Sequence, residues 1–147
     1  ASDCPCDQRI FGSNSYWFCD TRFKTWTKAR DWCDDRNYTL VTVNSSEEQI
    51  WLKQIIREDS GVTWNEPYWT GLNDRDAERN ASRSGWVWES GEDYSYQAWS
   101  SRYGGQPDVW IRDEDCVEIN LWNDAYESDW NDSECSNEKT YICEASP

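Results

Sequence analysis

Seven cysteines in 147 residues constrain the fold of this chain more strongly than any other feature of its sequence. They are Cys4, Cys6, Cys19, Cys33, Cys116, Cys135 and Cys143. Cysteines at this density indicate an oxidising compartment, where thiols pair into disulfides that cross-link a folded domain. An odd number leaves at least one cysteine without a partner inside the chain, and a spare thiol in a secreted protein suggests a bond to a second chain.

The length of the chain fits a single domain over residues 1–147, with residues 1–20 as an N-terminal hairpin extension. No run of about 20 apolar residues is present, so no membrane-spanning helix is expected. The first residues, Ala1-Ser2-Asp3, look like a processed, mature end. Together with the cysteines, these features predict a secreted, extracellular protein that does not insert into a membrane.

The composition excludes several classes of function. The chain has no histidine, the commonest general base and transition-metal ligand, so a zinc or copper enzyme and a Ser-His-Asp triad are not expected. The formal net charge is −15, and repulsion from phosphates and anionic headgroups argues against nucleic-acid and membrane partners. The chain is also rich in aromatic residues, with 12 tryptophans, 8 tyrosines and 3 phenylalanines. Most of these rings must pack in a core or line a recognition surface.

Hydrophobic patterning predicts two helices early in the chain and strands towards its end. A hairpin is expected in residues 4–23, turning at Gly12-Ser13-Asn14. Helical spacing predicts helices over residues 25–36 and 44–61. Strands are predicted at residues 40–43, 68–72, 86–88, 116–121, 129–131 and 140–143. This order gives an α+β class, and the long loop region over residues 93–115 is typical of a functional segment.

Oxygen-donor side chains are concentrated near the last cysteines. Gln106 and Asp108 flank a proline ahead of Glu114, while Asn131 and Asp132 come shortly before the sixth cysteine. Ca²⁺ takes about 6–8 oxygen ligands in a flexible shell, so carboxylates and amides at this density indicate a calcium site. A shell that the protein leaves incomplete can be finished by the hydroxyl groups of a ligand. These residues therefore predict sugar binding through a metal ion.

Several motifs together resemble the C-type lectin-like domain, over residues 4–144. Trp69-Thr70-Gly71-Leu72 is similar to the core strand of that family, and Trp86-Val87-Trp88-Glu89-Ser90-Gly91 to its second aromatic strand and turn. Tyr96 and Trp99 match the segment before the family's long loop. The resemblance implies an α+β fold of two helices and antiparallel sheets, cross-linked by disulfides, with a long calcium-binding loop.

The resemblance also implies how the cysteines pair. The cysteine frame of the family gives the bridges Cys33–Cys143 and Cys116–Cys135. Of the remaining three cysteines, Cys19 can close the N-terminal hairpin with either Cys6 or Cys4. Our hypothesis is an internal Cys6–Cys19 bridge and an interchain disulfide through Cys4. The resulting dimer would join two weak binding sites, which gain avidity on a multivalent glycan.

The carbohydrate-binding calcium site of the family carries over position by position. Gln106 and Asp108 match its first pair of metal ligands, flanking a proline that is cis in the family. Glu114 matches the third ligand. Asn131 and Asp132 match the fourth and fifth, and Asp132 is also expected to offer its backbone carbonyl oxygen. The implied cofactor is Ca²⁺, and the implied sugar-binding residues are Gln106, Asp108, Trp110, Glu114 and Asn131.

The order of amide and acid groups in this site implies a sugar class. Gln106-Pro107-Asp108 resembles the galactose-type order of the family, so glycans containing galactose or N-acetylgalactosamine are the expected partners. Trp110 stands where galactose-type members place a ring that packs on the apolar face of the sugar; a buried structural role is the alternative. The segment 109–113 is short and free of glycine, unlike the galactose-type pattern. It leaves open a relaxed preference for N-acetylated or mannose-type sugars.

A second calcium site of the family is matched in part. Asp74, Glu78 and Asp115 stand at its positions, and Glu114 is shared with the first site. Val109 replaces one further acid. This second site is therefore expected to be weak or absent.

The sequence also allows functions other than sugar binding, and it contains a second copy of the tripeptide that holds the last two predicted ligands. An acidic matrix or mineral-binding protein on this fold would use the net charge of −15 to meet calcium-rich surfaces. Catalysis by Glu114 and Asp115 is not expected, because adjacent acids on a strand point apart and metal ligation needs both ionised. Trp122-Asn123-Asp124 repeats the tripeptide Trp130-Asn131-Asp132 and is interpreted as a loop between strands, with an exchange of ligand roles between the two copies as the alternative. Calcium-dependent binding of glycans, in innate-immune or other glycan recognition, is the favoured function, and the chain is not expected to be an enzyme.

Overall fold

The computed structural model describes residues 6–58, 67–74, 86–99, 115–120 and 130–147. In these ranges the helices are α1 (Trp26–Asp34) and α2 (Ser46–Glu58). The strands are β1 (Asp7–Phe11), β2 (Asn14–Lys24), β3 (Thr39–Leu40), β4 (Tyr68–Asn73), β5 (Val87–Trp88), β6 (Cys116–Ile119), β7 (Trp130–Ser133) and β8 (Lys139–Ala145). This combination confirms the predicted α+β class. Neither described helix has the length and hydrophobicity needed to cross a membrane.

The described chain opens with the predicted hairpin. β1 and β2 pair antiparallel, with Arg9 opposite Tyr16. Gly12 in the turn has a φ of 64°, a left-handed conformation that glycine adopts without steric cost. β2 continues beyond the hairpin and pairs with β8, with Ser15 opposite Ala145. The hairpin therefore forms one edge of the main sheet.

All of the described strands belong to one sheet. Its order is β1-β2-β8-β4-β6-β7, with β3 added on β8 and β5 on β4. The strand pairs are antiparallel except β4 with β8, which run parallel with Trp69 opposite Tyr141. The sheet is therefore mixed, whereas the sequence suggested antiparallel sheets. The reason is topological, because β4 and β8 are far apart in the chain and a long crossover between them allows parallel pairing.

A side-chain oxygen caps the first turn of each helix. The Thr25 side chain caps α1 by accepting a hydrogen bond from the Lys28 backbone N–H at 3.4 Å. Ser45 Oγ accepts from the Glu48 backbone N–H at 3.1 Å at the start of α2. The buried residues of α1 are Trp26, Ala29 and Cys33, at the predicted helical spacing. The end predicted for the second helix at residue 61 lies outside the described residues.

The strand predicted at residues 40–43 is shorter than expected. Only Thr39–Leu40 pair with β8 as β3. The Val41 backbone N–H still donates to the Ile142 carbonyl at 2.9 Å, and both Val41 and Val43 are fully buried. The apolar run at this place therefore reflects burial in the core more than strand pairing.

Three disulfides connect the described elements, with the expected pairing. They are Cys6–Cys19 within the hairpin, Cys33–Cys143 between α1 and β8, and Cys116–Cys135 between the start of β6 and the segment after β7. Loss of a native disulfide typically costs about 2–5 kcal/mol of stability. Cys4 lies outside the described residues, so its interchain bond stays a prediction.

Trp130, the first residue of β7, is the centre of an aromatic cluster in the core. It is fully buried, and its indole Nε1 donates to Gln49 Oε1 on α2 at 2.9 Å. The rings that meet it at steep angles are Trp88, Tyr96 and Trp99, with centroid distances of 5.5, 5.9 and 5.7 Å. This packing fixes the strand whose next two residues are the predicted ligands Asn131 and Asp132.

Candidate functional site

Four of the predicted site residues lie within the described ranges. They are Asp74, Asp115, Asn131 and Asp132. The predicted residues outside those ranges are Gln106, Asp108, Trp110, Glu114 and Glu78, together with the repeated tripeptide Trp122-Asn123-Asp124. The described part of the site is therefore built from the end of β4, the start of β6, and β7.

The antiparallel ladder of β6 and β7 presents the last two predicted ligands. Val117 lies opposite Asp132, and Glu118 lies opposite Asn131. Because successive side chains of a strand point to opposite faces, Asn131 and Asp132 face different sides of the sheet. Two predicted ligands that are adjacent in sequence thus enter two different groups of side chains.

Asp132 belongs to a group of three acids from three elements. Asp74 follows β4 and Asp115 precedes β6, and the Asp74 backbone N–H donates to the Asp115 carbonyl at 3.0 Å. Burial, a hydrogen bond with Asp115 and the charges of Asp115 and Asp132 raise the pKa of Asp74 to about 7. Asp74 Oδ1 is buried and has no hydrogen-bond partner in the described part of the chain. This excess of negative charge is what a hard cation would neutralise.

These three acids carry the oxygen donors that a hard cation prefers, but they do not make a metal site by themselves. In the ranges that the structure describes, no group of three or more acidic, cysteine or histidine side chains is placed to hold a metal ion by itself. Ca²⁺ needs about 6–8 oxygens, so further ligands would have to come from outside the described ranges, where Glu78 and the segment 106–114 are predicted to supply them. The predicted donors of that segment, Gln106, Asp108 and Glu114, all carry side-chain oxygens. The unsatisfied oxygen of Asp74 and the chemistry of the donor set are both compatible with Ca²⁺.

Asn131 belongs to a second polar group, which the sequence did not predict. Its Nδ2 donates to Glu118 Oε2 at 3.3 Å, and Asn120 Nδ2 donates to the same oxygen at 2.9 Å. The other oxygen of Glu118 lies 2.8 Å from Lys139 Nζ, in an ion pair with both side chains largely buried. Charged residues are seldom buried unless paired. The one acid in the apolar Cys116–Ile119 strand is therefore the sequence signal that identifies this group.

A separate acidic group lines a cavity of about 380 Å³ between α2 and the ends of β2 and β8. The Tyr16 hydroxyl donates to Glu48, and both residues are buried. Glu144 accepts hydrogen bonds of 2.9 Å from the Thr42 backbone N–H and from Asn14 Nδ2. Burial and the charge of Glu48 raise the pKa of Glu144 to about 7, and burial also raises the pKa of Glu48. Sequence analysis does not predict this group, because its members come from distant parts of the chain.

The buried carboxyl group of Glu144 is expected to make stability depend on pH. Because its pKa in the fold is raised from 4.5 to about 7, its contribution to stability is fully present below about pH 4.5. That contribution is lost as the pH rises through about 7. We expect Glu144→Gln to reduce the fall in unfolding free energy between pH 5 and pH 8 by about 1–3 kcal/mol. Urea denaturation at both pH values, in the presence of a chelator, measures this difference.

Glu47→Gln is the matched control for this measurement. Glu47 lies in the first turn of α2 and is exposed, so removing its charge should leave the pH dependence as it is in the wild type. If Glu144→Gln also kept the wild-type pH dependence, Glu144 would have to ionise in the fold as it does in water.

Comparison with known proteins identifies the family. The family model described as Lectin C-type domain matches residues 22–145. Mouse asialoglycoprotein receptor 2 is 32% identical over 148 residues, which cover 96% of this chain and 42% of the receptor. The chain thus spans about two fifths of the length of the asialoglycoprotein receptors that it matches.

Solved structures of related domains have the same fold. The carbohydrate-recognition domain of the mouse scavenger receptor C-type lectin has a TM-score of 0.74 and 28% identity, covering 95% of each chain. The cow CD23 carbohydrate-recognition domain, solved in the presence of a GlcNAc2Man3 oligosaccharide, has a TM-score of 0.73 and 25% identity. That match covers 95% of this chain and 93% of the CD23 chain. The protein described above belongs to the C-type lectin domain family.

Proposed function

We propose that this domain binds carbohydrates in a calcium-dependent manner, by direct coordination of vicinal sugar hydroxyls to Ca²⁺. The observation that carries the proposal is the acidic group of Asp74, Asp115 and Asp132. In that group a buried oxygen of Asp74 has no hydrogen-bond partner among the described residues. Membership of a family whose solved members include carbohydrate-recognition domains supports it. The domain would act by binding rather than by catalysis, in innate-immune or other glycan recognition.

The proposed ligands fall into two sets. The ion that binds sugar would be held by Gln106, Asp108, Glu114, Asn131 and Asp132, and Asp132, whose side chain faces the other side of the sheet from that of Asn131, would contribute its backbone carbonyl oxygen. A second, weaker ion would be held by Asp74, Glu78, Glu114 and Asp115. Calcium, when bound, supplies coordination positions that sugar hydroxyls take in place of water. The acids of the site accept the hydroxyl protons in hydrogen bonds, and the amide groups donate to the hydroxyl lone pairs.

The proposed sugar class is galactose or N-acetylgalactosamine. Gln106 and Asp108 have the galactose-type order, and the ring of Trp110 would pack on the apolar face of the sugar. The alternative is relaxed binding of N-acetylated or mannose-type sugars. Residues 109–113 favour it, because this segment is shorter than the corresponding galactose-type segment and contains no glycine. A single site of this kind is expected to bind with a Kd near 1 mM, or about −4 kcal/mol.

Elution from immobilised galactose tests the function and the sugar class together. In millimolar Ca²⁺ the protein is expected to be retained, and then to be released both by free galactose and by a chelator. Mannose at the same concentration is the control sugar and should release less protein. Equal release by mannose would favour the relaxed alternative. Release by a chelator but by no sugar would contradict sugar binding and favour a mineral-binding protein, and retention that survives the chelator would contradict the calcium requirement.

We also propose that the protein is extracellular and that Cys4 links two copies of it. The three described disulfides use the other six cysteines, and disulfides form in oxidising compartments. Non-reducing electrophoresis of the secreted protein is expected to show a dimer that reduction, or Cys4→Ser, converts to a monomer. A wild-type monomer with one titratable thiol would contradict the link. The dimer would give two weak sites the avidity that a multivalent glycan surface requires.

A further inference from the structure

We propose that Glu118 is a positioning residue, which orients the side-chain amide of Asn131 so that its oxygen faces the bound cation. The inference rests on the proposed calcium-dependent function, and it names a residue outside the predicted set of ligands. Glu118 would touch neither the sugar nor the ion. It would act through Asn131, its cross-strand neighbour on β7.

The need for such a residue follows from the chemistry of asparagine. Its side chain ends in an oxygen and an NH₂ group of nearly the same size. Only the oxygen is a ligand for a hard cation, so the opposite orientation turns donor hydrogens towards a positive ion. A fixed acceptor on the NH₂ side removes that unfavourable orientation before the ion arrives, as outer partners do for other metal ligands.

Glu118 has the properties of that fixed acceptor. Its Oε2 lies 3.3 Å from Asn131 Nδ2 across the β6–β7 ladder. An ionised carboxylate only accepts hydrogen bonds, so it binds the NH₂ end of Asn131 and not the oxygen end. Asn120 Nδ2 donates to the same oxygen at 2.9 Å, which holds the acceptor in position.

The network behind Glu118 keeps it from turning away. Glu118 is only 4% exposed, and its Oε1 lies 2.8 Å from Lys139 Nζ. That ammonium group lies 5.1 Å from the ring centroid of Trp69, within the range of a cation–π contact. Trp69 is fully buried and lies opposite Glu118 in the β4–β6 register. Rotation of Glu118 would leave a buried charge without its partner, which is strongly unfavourable.

Calcium titration of Glu118→Gln tests the proposal. Glutamine keeps the length of the side chain but presents both an oxygen and an NH₂ group, so Asn131 can bond to it in either orientation. We expect the Kd for calcium to rise about 10- to 100-fold, the range for loss of an outer-shell partner. Isothermal titration calorimetry measures the change. The matched control is Lys139→Gln, which breaks the same buried ion pair but keeps the carboxylate of Glu118 as an acceptor that Asn120 still holds, so its calcium affinity should fall much less.

The two variants separate a positioning role from a structural one. Both should lower Tm, but only Glu118→Gln should lose calcium affinity to the expected extent. Equal losses in both variants, or wild-type affinity in Glu118→Gln, would overturn the proposal.

The side-chain NH₂ resonances of Asn131 in calcium-free wild-type protein give a readout that needs neither a variant nor calcium. NH₂ protons that are protected from exchange with solvent support the proposal, and freely exchanging protons overturn it. Wild-type protein that binds no calcium would instead overturn the proposed function, and these resonances would still decide whether Glu118 orients Asn131.

Discussion

Replacing Trp130 with alanine is expected to lower the free energy of unfolding by about 3–5 kcal/mol, the cost of truncating a large buried aromatic side chain. Trp130 is fully buried, and the centroids of the rings that surround it lie 5.5–5.9 Å away. The substitution also removes the 2.9 Å hydrogen bond from its indole to the buried amide of Gln49. Thermal denaturation should show a Tm lower by about 10 °C.

Two other variants separate the contributions to this effect. Trp130→Phe keeps an aromatic ring but loses the indole N–H, so it should cost about 1–3 kcal/mol. Trp32→Ala removes a partly buried tryptophan of α1 that packs under Arg36, with the guanidinium carbon 3.7 Å from the ring centroid. It should destabilise the protein less than Trp130→Ala does. A Trp130→Ala protein no less stable than Trp32→Ala would contradict the central role of Trp130 in the core.

Local signals in the sequence were sufficient for the helices and the hairpin. The cap at Thr25 and the turn at Gly12 depend on backbone within a few residues, so the sequence around each position carries the information. The pairing of the cysteines could not be predicted from local sequence. They came from the resemblance to a family, and the bridge between Cys33 and Cys143 joins residues 110 apart, which no local pattern specifies.

The features that the sequence did not predict depend on contacts between distant parts of the chain. The parallel pairing of β4 with β8 is set by the whole topology and not by the composition of either strand. The ion pair of Glu118 with Lys139 and the acidic group of Glu48 with Glu144 each join residues from different elements. Charged residues in buried strands or on the buried side of a helix are the only trace that such groups leave in a sequence.

The candidate site shows the same division between local and distant information. The ligand pattern was read from residue types and from the resemblance, and the strand at residues 130–133 was predicted in nearly its observed place. The sequence did not indicate that Asn131 would bond to Glu118 while Asp132 joined Asp74 and Asp115. Strand alternation separates two adjacent side chains, but the partners of each depend on the neighbouring strands. The ligand roles of Asp74, Asp115, Asn131 and Asp132 stay predictions.

Asp74→Asn is expected to have opposite effects on the calcium-free and the calcium-loaded protein. Without calcium, burial and the neighbouring Asp115 raise the pKa of Asp74 to about 7, so its ionised form is unfavourable at pH 8. Asparagine removes that charge, and its NH₂ group can donate to Asp115. The chelated protein should therefore gain about 1–2 kcal/mol of stability, after allowance for partial exposure to solvent. In calcium the variant lacks one charged oxygen donor of the second, weaker ion, so the Kd of that ion should rise at least about tenfold.

Thermal denaturation with calcium and with a chelator, combined with calcium titration, measures both effects on one protein. Asp34→Asn is the control, because Asp34 is an exposed acid at the end of α1 and its loss changes the net charge equally. It should alter neither measurement. A lower Tm for Asp74→Asn in chelator would mean that the carboxylate is stabilised in the fold, and unchanged calcium affinity would mean that Asp74 is not a ligand. A gain in stability without calcium together with a loss of calcium affinity would tie the acidic group to calcium binding. A charge that is unfavourable in the calcium-free fold is explained by a function that needs it.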